Sequence, residues 1–301
     1  MGTASLWRKR AWKPWTLLTE HKKGEKISMT WYGTVLLVLA ALGAVYAFLL
    51  WPRCPRRSLG ALAGWDYAHR GLWNAQRPEN SLPAFSAAVE AGYGIELDVH
   101  LTRDNVLVVF HDDTLSRMCG ISKRVEDMTL PELERLRLQG SEQGIPTLDQ
   151  VLAVVDGKVP LIVEIKADKR LAELCRRTRE RLRDYGGAYC VESFHPLAVR
   201  WFRKHAPEVI RGQLAYGLGM KRAQGKKNGV LDVFLASLTG NALGRPDFVA
   251  HDEVSGNDLP TRLTRRMGAH LVAWTVRDPA RMRALRKKYE LQIFEGFLPD
   301  D

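Results

Sequence analysis

Three acidic residues stand at positions where parallel strands would bring them into one pocket. Glu96 and Asp98 are two residues apart in the apolar run GIELDV, so on a strand both side chains point to the same face. Glu164 lies near the end of a second apolar run, LIVEI. Neighbouring buried carboxylates repel one another and are costly to desolvate, and a bound cation offsets both costs. Because hard cations prefer oxygen ligands, these three residues predict a site for Mg²⁺ or Ca²⁺.

Two histidines and an arginine follow other apolar runs. His69 and Arg70 end the run WDYAHR, and His111 ends the run VLVVFH. Imidazole groups suit proton transfer near neutral pH, and the guanidinium fork of arginine binds phosphate. A cation, an arginine and two histidines in one pocket predict cleavage of a phosphodiester. The residues alone leave a structural alternative open, in which the acids form salt bridges with Arg70 and Lys166 and the histidines have no catalytic part.

The elements that must position these residues alternate between strand and helix from residue 58 to residue 301. Such alternation is typical of parallel sheets, and about eight strand–helix units over ~240 residues predict a (β/α)8 TIM barrel. Active sites of these barrels lie at the carboxyl ends of the strands, which is where the residues described above are found. The predicted strands are 65–69, 94–99, 106–110, 160–165, 188–192, 210–214, 248–250, 271–276 and 291–294.

One connection departs from this pattern. Residues 100–105 alone separate the second and third predicted strands, and a parallel crossover needs a dozen or more residues. We therefore expect residues 106–110 to turn back as an antiparallel hairpin strand. This strand opens a small insertion after the second strand, at about residues 99–146, and leaves eight strands for the barrel.

The net charge of +11 is unevenly distributed along the 301 residues. Residues 1–57 contain ten lysines and arginines and two acids, so the remainder of the chain carries a charge of +3. Most of the excess flanks an uncharged apolar run, residues 31–51, which as a helix would span ~30 Å of hydrocarbon. The charge therefore indicates membrane topology, and we expect no nucleic-acid partner. The predicted organisation is a basic segment at 1–30, a transmembrane helix at 31–51, a linker at 52–64 and the barrel at 65–301.

Two alternatives exist for the apolar run. A buried core helix of this length would usually contain some charge, and a cleaved signal peptide usually has an apolar region of ~7–15 residues. Seven lysines and arginines precede the run, and three closely follow it. This bias predicts a single-pass protein of the cell membrane that contacts the bilayer through residues 31–51 and holds its barrel on the extracytoplasmic side.

Seven motifs in the predicted barrel carry a resemblance. They are HRG at 69–71, PEN at 78–80, ELD at 96–98, VVFHDDTL at 108–115, IPTLDQVL at 145–152, EIK at 164–166 and AWTV at 273–276. In this order they closely resemble the glycerophosphodiester phosphodiesterase family, over about residues 65–298. That family is a metal-dependent (β/α)8 barrel with a small insertion after its ELD strand. The resemblance implies hydrolysis of a small glycerophosphodiester to glycerol phosphate and an alcohol.

The resemblance also implies roles for individual residues. Glu96, Asp98 and Glu164 would hold Mg²⁺ or Ca²⁺, while His69 and His111 would form the acid–base pair. The residues implied to bind substrate are Arg70, Lys166, Glu79, Phe194 and Trp274. The last two are aromatic residues at later strand ends, and ordinary barrel packing is the alternative for both.

Two segments depart from the family pattern. The family often ends its last strand in Thr-Asp, where this chain has Glu295 in place of the aspartate, and its usual Ser-Ser-Phe is Glu192-Ser193-Phe194 here. Both changes lie on the side that recognises the alcohol, so they bear on the substrate rather than on the class of reaction. The alternatives are a related phosphodiesterase acting on lysophospholipid or poly(glycerol phosphate), and an inactive membrane-bound binding barrel. The sequence does not predict the oligomeric state.

Overall fold

The computed structural model describes residues 21–167, 169–223, 227 and 229–299, so most of the predicted basic segment, residues 1–20, lies outside the described residues. The chain divides into two compact units, with the boundary between Tyr46 and Ala47. Most of a long helix, α1 at His21–Leu50, belongs to the first unit. Its 20 residues Trp31–Leu50 have a mean hydropathy of 2.4. Among the described residues this is the one helix long and apolar enough for a membrane span, and a signal sequence has the same character.

In the described part of the chain, nine strands form one sheet. They are β1 Asp66–His69, β2 Gly94–Leu101, β3 Leu107–Val109, β4 Leu161–Ile165, β5 Tyr189–Ser193, β6 Arg211–Ala215, β7 Phe248–Asp252, β8 His270–Val276 and β9 Leu291–Phe294. Eight of them are parallel, in the order β1-β2-β4-β5-β6-β7-β8-β9, and the pairing of β9 with β1 closes the barrel. The predicted (β/α)8 barrel is confirmed.

The third strand turns back, as the short connection before it predicts. β3 is antiparallel to β2, with Val99 opposite Val109 and Leu101 opposite Leu107. The chain between β3 and β4 then forms a small apolar core of its own. Leu115 in this core is fully buried. The insertion therefore has its own packing and extends from the edge of the barrel.

Helices connect the parallel strands on the outside of the barrel. After α1 they are α2 Leu82–Glu90, α3 Ser116–Cys119, α4 Leu130–Leu133, α5 Leu148–Val155, α6 Leu171–Arg183, α7 Pro196–His205, α8 Leu218–Ala223, α9 Val230–Ser237, α10 Asn241–Gly244, α11 Leu259–Arg266 and α12 Pro279–Leu285. Several begin at a capping residue, because the first backbone N–H groups of a helix have no partner within it. Ser81 caps α2 in this way, and Thr147 with Gln150 forms a capping box at α5.

The barrel interior has an apolar layer and, above it, a polar layer. Tyr67, Ile162, Cys190 and Val272 are fully buried in the apolar layer. Side chains alternate along a strand, so residues two positions further on point to the same interior, nearer the carboxyl ends of the strands. Those residues are His69, Glu164, Glu192 and Trp274.

The chain that leads into β1 closes the opposite, amino end of the barrel. Leu59 and Leu62 are buried in the same apolar layer, and the hydroxyl of Tyr67 donates a 2.7 Å hydrogen bond to the carbonyl of Leu62. Just before them, the Leu50 carbonyl accepts a 3.2 Å hydrogen bond from the side chain of Asn241. The polar layer at the carboxyl end is therefore the open end of the barrel.

Candidate active site

A cavity of about 280 Å³ lies at the carboxyl ends of the barrel strands. It contains residues from most of the strands, as expected of a TIM barrel site. The lining residues are His69, Arg70, Glu96, His111, Glu164, Glu192, Phe194, Leu214, Tyr216, Met220, Trp274, Thr275, Arg277 and Ile293. Seven of the ten residues predicted from the sequence are among them. The other three each contact one of the seven: Glu79 and Asp98 lie next to Arg70, and Lys166 lies next to Glu164.

The three predicted acids come together. Asp98 on β2 lies directly opposite Glu164 on β4, and Glu96 precedes Asp98 on the same face. All three are buried, and one carboxylate oxygen of each lies within 4.8 Å of those of the other two. Three buried oxygen donors at this spacing fit a hard divalent cation, for which carboxylates are the preferred ligands.

Lys166 is buried beside two of these acids. Its Nζ atom is 2.9 Å from both the Asp98 and the Glu164 carboxylates. Burial alone would raise the pKa of Asp98, but Lys166, His111 and Arg70 hold that pKa well below its usual range. Burial raises the pKa of Glu164, although Lys166 opposes the change. Asp98 is therefore the acid that most strongly favours the charged form.

Glu96 has a different environment from Asp98. Burial, and then the charges of Asp98 and Glu164, raise the pKa of Glu96 well above its usual range. The Glu96 carboxylate accepts a 3.1 Å hydrogen bond from the backbone N–H of Arg70. Without a cation, proximity to other carboxylates makes this charge unfavourable.

His69, at the end of β1, lies between two carboxylates. Its Nδ1 atom is hydrogen-bonded to Glu295, which follows β9, and its Nε2 atom is 3.9 Å from Glu96. Burial lowers the pKa of His69, and the hydrogen bond with Glu295 partly compensates. Burial would raise the pKa of Glu295, but the hydrogen bonds and positive charges of His69 and Arg277 together lower it to about 2. Glu295 therefore orients the ring through Nδ1 and leaves Nε2 directed toward the acids.

His111 follows the hairpin strand β3. The backbone N–H of the preceding residue, Phe110, donates a 3.0 Å hydrogen bond to the carbonyl of Asp98, which brings the hairpin across the acid cluster. The Nδ1 atom of His111 lies 2.6 Å from Asp112. Asp112 in turn accepts a 2.7 Å hydrogen bond from Arg117 of α3. The insertion thus supplies the second histidine and the groups that orient it.

Arg70 adopts a backbone conformation that non-glycine residues rarely adopt, with φ of 59°. Gly71 follows with φ of 80°, and a Cβ atom there would lie 2.8 Å from the backbone of Ala84. This tight turn directs Arg70 back over the cavity, where its Nη1 atom donates a 2.9 Å hydrogen bond to Glu79. Its Nε atom is 3.6 Å from Asp98.

Aromatic rings form the other side of the cavity. Phe194 lies edge-on to Trp274 with ring centroids 5.6 Å apart, and 5.8 Å from the ring of Tyr216. The predicted pair Phe194 and Trp274 is therefore brought together with a third ring. The cavity has an acidic, cation-binding side and an aromatic side.

Comparison with known proteins identifies the family. A model described as the glycerophosphoryl diester phosphodiesterase family matches residues 69–289. The chain belongs to this family. Over 166 residues it is 34% identical to a glycerophosphodiester phosphodiesterase of Caldanaerobacter subterraneus, a match covering 51% of this chain and 67% of the relative. Over 171 residues it is 30% identical to a human lysophospholipase D, covering 50% of this chain and 52% of the relative.

A solved structure has the same fold. It is a phosphodiesterase of Oleispira antarctica in complex with the product sn-glycerol-3-phosphate, and the TM-score is 0.65 at 22% sequence identity. The match covers 79% of this chain and 95% of that one. The matches to the two curated relatives span about two thirds and about half of their respective lengths.

Three residues of this family member contribute to the site although the sequence did not predict a role for them. Arg117 donates hydrogen bonds of 2.6 Å to Glu79 and 3.0 Å to Asp112, so it connects the barrel with the insertion. Glu295 orients His69. Glu192 is 2% exposed and lines the cavity, and its Oε2 atom has no hydrogen-bond partner among the described residues. The departures from the family pattern at positions 192 and 295 could have indicated that Glu192 and Glu295 belong to the site. No feature of the sequence indicated Arg117.

Proposed function

We propose that this protein hydrolyses glycerophosphodiesters to glycerol phosphate and an alcohol with the help of a divalent cation. The observation that carries the proposal is the convergence of two oriented histidines, His69 and His111, on a cluster of buried acids in a member of this family. A binding barrel without activity would have no need of a pair of proton-transferring groups. Hydrolysis of the phosphodiester is therefore the function that the site supports best.

The cation would be held by Glu96, Asp98 and Glu164. Bound there, Mg²⁺ or Ca²⁺ would supply positive charge next to the phosphoryl oxygens. Because Lys166 is already bound to two of these acids, its part is to hold them in place and to limit their mutual repulsion. This differs from the direct contact with phosphate that the family resemblance implies for Lys166.

The two histidines would divide the proton transfers. Each ring is held through Nδ1 by a carboxylate, Glu295 for His69 and Asp112 for His111, which leaves Nε2 of each for the substrate. One histidine accepts a proton from the attacking glycerol hydroxyl or water, and the other donates a proton to the departing alcohol. Carboxylate support of both rings favours a fixed geometry for these transfers.

The remaining predicted residues would position the substrate. Arg70 lines the cavity, and its guanidinium group is suited to binding phosphate. Glu79 would keep this group in position by accepting a hydrogen bond from it. Phe194 and Trp274 would pack against the glycerol carbons on the aromatic side.

We also propose that residues 31–51 anchor the protein in the cell membrane, with the barrel on the extracytoplasmic side. The apolar side chains of Trp31–Leu50, most of which are exposed, support a membrane span, and the excess of basic residues before it supports this orientation. Protease treatment of intact cells tests the orientation. We expect the protease to digest the barrel in intact cells. Protection of the barrel in intact cells, followed by digestion after lysis, would indicate the opposite orientation.

The activity is tested with the full chain in detergent. Glycerophosphocholine, glycerophosphoethanolamine and lysophosphatidylcholine are supplied with Mg²⁺, Ca²⁺ or EDTA, and release of the alcohol is measured. We expect turnover of the glycerophosphodiesters with a metal and none with EDTA. Turnover of lysophosphatidylcholine alone would instead favour the lysophospholipase D activity for which the human relative is named.

The catalytic assignment is tested by substitution. His69→Ala and His111→Ala should each lower kcat by roughly 10²–10⁴. His205→Ala is the matched control, since His205 is exposed on α7 and stacks on Trp201. Absence of turnover of any of these diesters by the unmodified chain would refute the proposed activity. Undiminished turnover in the doubly substituted protein would refute the roles of the histidines.

A further inference from the structure

Five arginines surround the place where the apolar helix joins the barrel. They are Arg53, Arg57, Arg203, Arg211 and Arg245. A cavity of about 510 Å³ lies among four of them, at the amino end of the barrel. We call it the junction pocket, and its lining residues are Phe48, Trp51, Pro52, Arg53, Cys54, Arg203, Pro207, Arg211 and Arg245.

The positive charge of these arginines is largely uncompensated. Within the described part of the chain, Asp247 is the one carboxylate within 4 Å of any of them, at 3.6 Å from Arg53 and 3.7 Å from Arg211. The side chain of Asp247 is fully buried and is shared between these two arginines. The junction pocket therefore keeps an excess of positive charge.

Most of the other hydrogen bonds that these arginine side chains donate are accepted by backbone carbonyl groups. Arg53 donates to the Pro207 carbonyl at 2.8 Å, and Arg203 donates to the Leu243 carbonyl at 3.0 Å. Carbonyl groups satisfy the donors but carry no net charge. Burial lowers the pKa of Arg211 to about 10, and Arg53 and Arg203 add to this effect against the attraction of Asp247. An anion in the junction pocket would relieve the repulsion among the arginines.

The other side of the junction pocket is apolar and includes the last turn of α1. Phe48 lies in the last turn of that helix and Trp51 directly follows it, and the two residues are 60% and 43% exposed. The Arg245 guanidinium lies 4.5 Å above the Phe48 ring and donates hydrogen bonds to the carbonyls of Phe48 and Trp51. A ligand in this place would meet apolar and aromatic groups on one side and guanidinium groups on the other.

We propose that the junction pocket binds the phosphate head group of an anionic phospholipid from the surrounding bilayer. Basic pockets beside a membrane span attract anionic head groups, and the guanidinium fork matches phosphate oxygens. The lipid chains would remain in the hydrocarbon core of the bilayer, beyond the aromatic side of the pocket formed by Phe48 and Trp51. This inference goes beyond the proposed hydrolysis and rests on the proposal that residues 31–51 span a membrane.

The test uses the full chain in detergent and native mass spectrometry with added phosphatidylglycerol or phosphatidylcholine. We expect the unmodified protein to bind phosphatidylglycerol more tightly. The double substitution Arg53→Gln/Arg203→Gln should reduce that preference by about thirtyfold, the equivalent of ~1 kcal/mol for each arginine near an anionic lipid. The matched control is Arg135→Gln/Arg137→Gln in the insertion, which removes the same charge from two exposed arginines and should leave the preference unchanged.

Three results would overturn the proposal. The first is equal binding of the two lipids by the unmodified protein, which needs no variant to be interpreted. The second is an undiminished preference in the junction variant, and the third is an equal loss in both double variants, which would indicate a general effect of charge. Thermal unfolding verifies that the variants are folded.

Two further measurements distinguish a failure of the lipid-site proposal from a failure of the proposed hydrolysis or of the proposed membrane anchor. Hydrolysis of glycerophosphocholine should be the same in both double variants, because neither pair belongs to the active site, so a failure of the hydrolase proposal is recognised independently. Alkaline extraction from vesicles of phosphatidylglycerol and phosphatidylcholine tests the anchor. Complete release of the unmodified chain would refute the anchor and the lipid site together, without bearing on hydrolysis.

Discussion

Four of the buried carboxylates at the carboxyl end of the barrel lie on β2, β4 and β5, and their surroundings are unequal: they are Glu96, Asp98, Glu164 and Glu192. Asp98 has Lys166 at 2.9 Å and accepts a 2.9 Å hydrogen bond from Asn80. Glu192 lies opposite Glu164 on the next strand, yet its Oε2 atom has no partner among the described residues. A buried polar atom without a partner costs free energy, so individual acids at this site affect the stability of the fold in opposite directions.

Substitution of Glu192 by Gln should stabilise the metal-free protein. Burial, and then the charges of Glu164 and Asp98, raise the pKa of Glu192 well above its ordinary 4.5. The unfolded chain therefore loses this proton first as the pH rises through 4.5, and the folded state becomes progressively less stable relative to it. We expect Glu192→Gln to raise the free energy of unfolding by about 1–3 kcal/mol at pH 8 in EDTA.

The same measurement at low pH provides the control for Glu192. Below the ordinary pKa of glutamate the side chain is neutral in both states, so the advantage of the substitution should shrink toward zero near pH 4. Urea denaturation followed at several pH values gives the difference directly. A difference that does not change with pH would contradict the electrostatic explanation.

Removal of Lys166 should have the opposite effect. Lys166→Met leaves Asp98 and Glu164 without their buried counter-charge, which is expected to lower the free energy of unfolding by about 3–5 kcal/mol. Added Ca²⁺ should restore part of the loss, because a cation would neutralise the same carboxylates. The control is Lys169→Met, since Lys169 is exposed and pairs with Glu126 away from the acid cluster. Equal effects of the two substitutions in urea denaturation would refute the role given to Lys166.

At the scale of elements, the turn after β1 determines where Arg70 lies. Arg70 and Gly71 both have positive φ, and the Arg70 backbone N–H donates to the Glu96 carbonyl at 2.9 Å. The backbone of α2 passes so close to Gly71 that a Cβ atom has no room. The turn, β2 and α2 therefore fix the arginine together.

Gly71→Ala tests this arrangement against a matched glycine. Gly92 also has positive φ, of 74°, but a Cβ atom there would have no neighbour within 4 Å. Both substitutions incur the strain of a left-handed backbone, and Gly71→Ala adds the clash with Ala84. We expect Gly71→Ala to lower the free energy of unfolding by about 1–3 kcal/mol more than Gly92→Ala, and to reduce kcat/KM because Arg70 moves. An equal loss of unfolding free energy in the two variants, with kcat/KM unchanged by Gly71→Ala, would contradict the role given to this turn.

The elements themselves were largely predictable, since strand alternation and a short connection are local properties of the sequence. The hairpin of β2 and β3 followed from a connection too short for a crossover, and Asp98 and Glu164 met because their strands are adjacent. Contacts between distant segments were not predictable in this way. Arg117 reaches Glu79 from α3, 38 residues along the chain, and Glu295 reaches His69 across the closure of the barrel. No local pattern specifies such a partner.

At the scale of the whole molecule, the segment that follows the apolar helix attaches to the amino end of the barrel. The Arg53 backbone N–H donates a 3.0 Å hydrogen bond to the carbonyl of Pro246, just before β7 begins. His69 and His111, the proposed proton-transfer pair, line the cavity at the carboxyl ends of the barrel strands. Attachment and active site therefore use opposite ends of the barrel.

This separation predicts that a surrounding bilayer leaves turnover of a soluble substrate unaffected. The kcat/KM of the full chain for glycerophosphocholine should be the same, within about twofold, in lipid nanodiscs and in detergent. Nanodiscs are preferred to vesicles because both faces of the bilayer are then accessible to substrate. A large fall in kcat/KM in nanodiscs would mean that the bilayer covers the cavity.

Leu59 and Leu62 have a consequence for which molecules can reach the cavity. By filling the amino end of the barrel, they separate the membrane-proximal chain from the cavity, so no passage through the barrel leads from the helix to the acids. Substrate and products must therefore enter and leave the cavity at the carboxyl end of the barrel, opposite the end to which the segment after α1 attaches. Together with the proposed anchor, this closure predicts that the cavity takes water-soluble diesters without acyl chains rather than lipids that are still embedded in the bilayer.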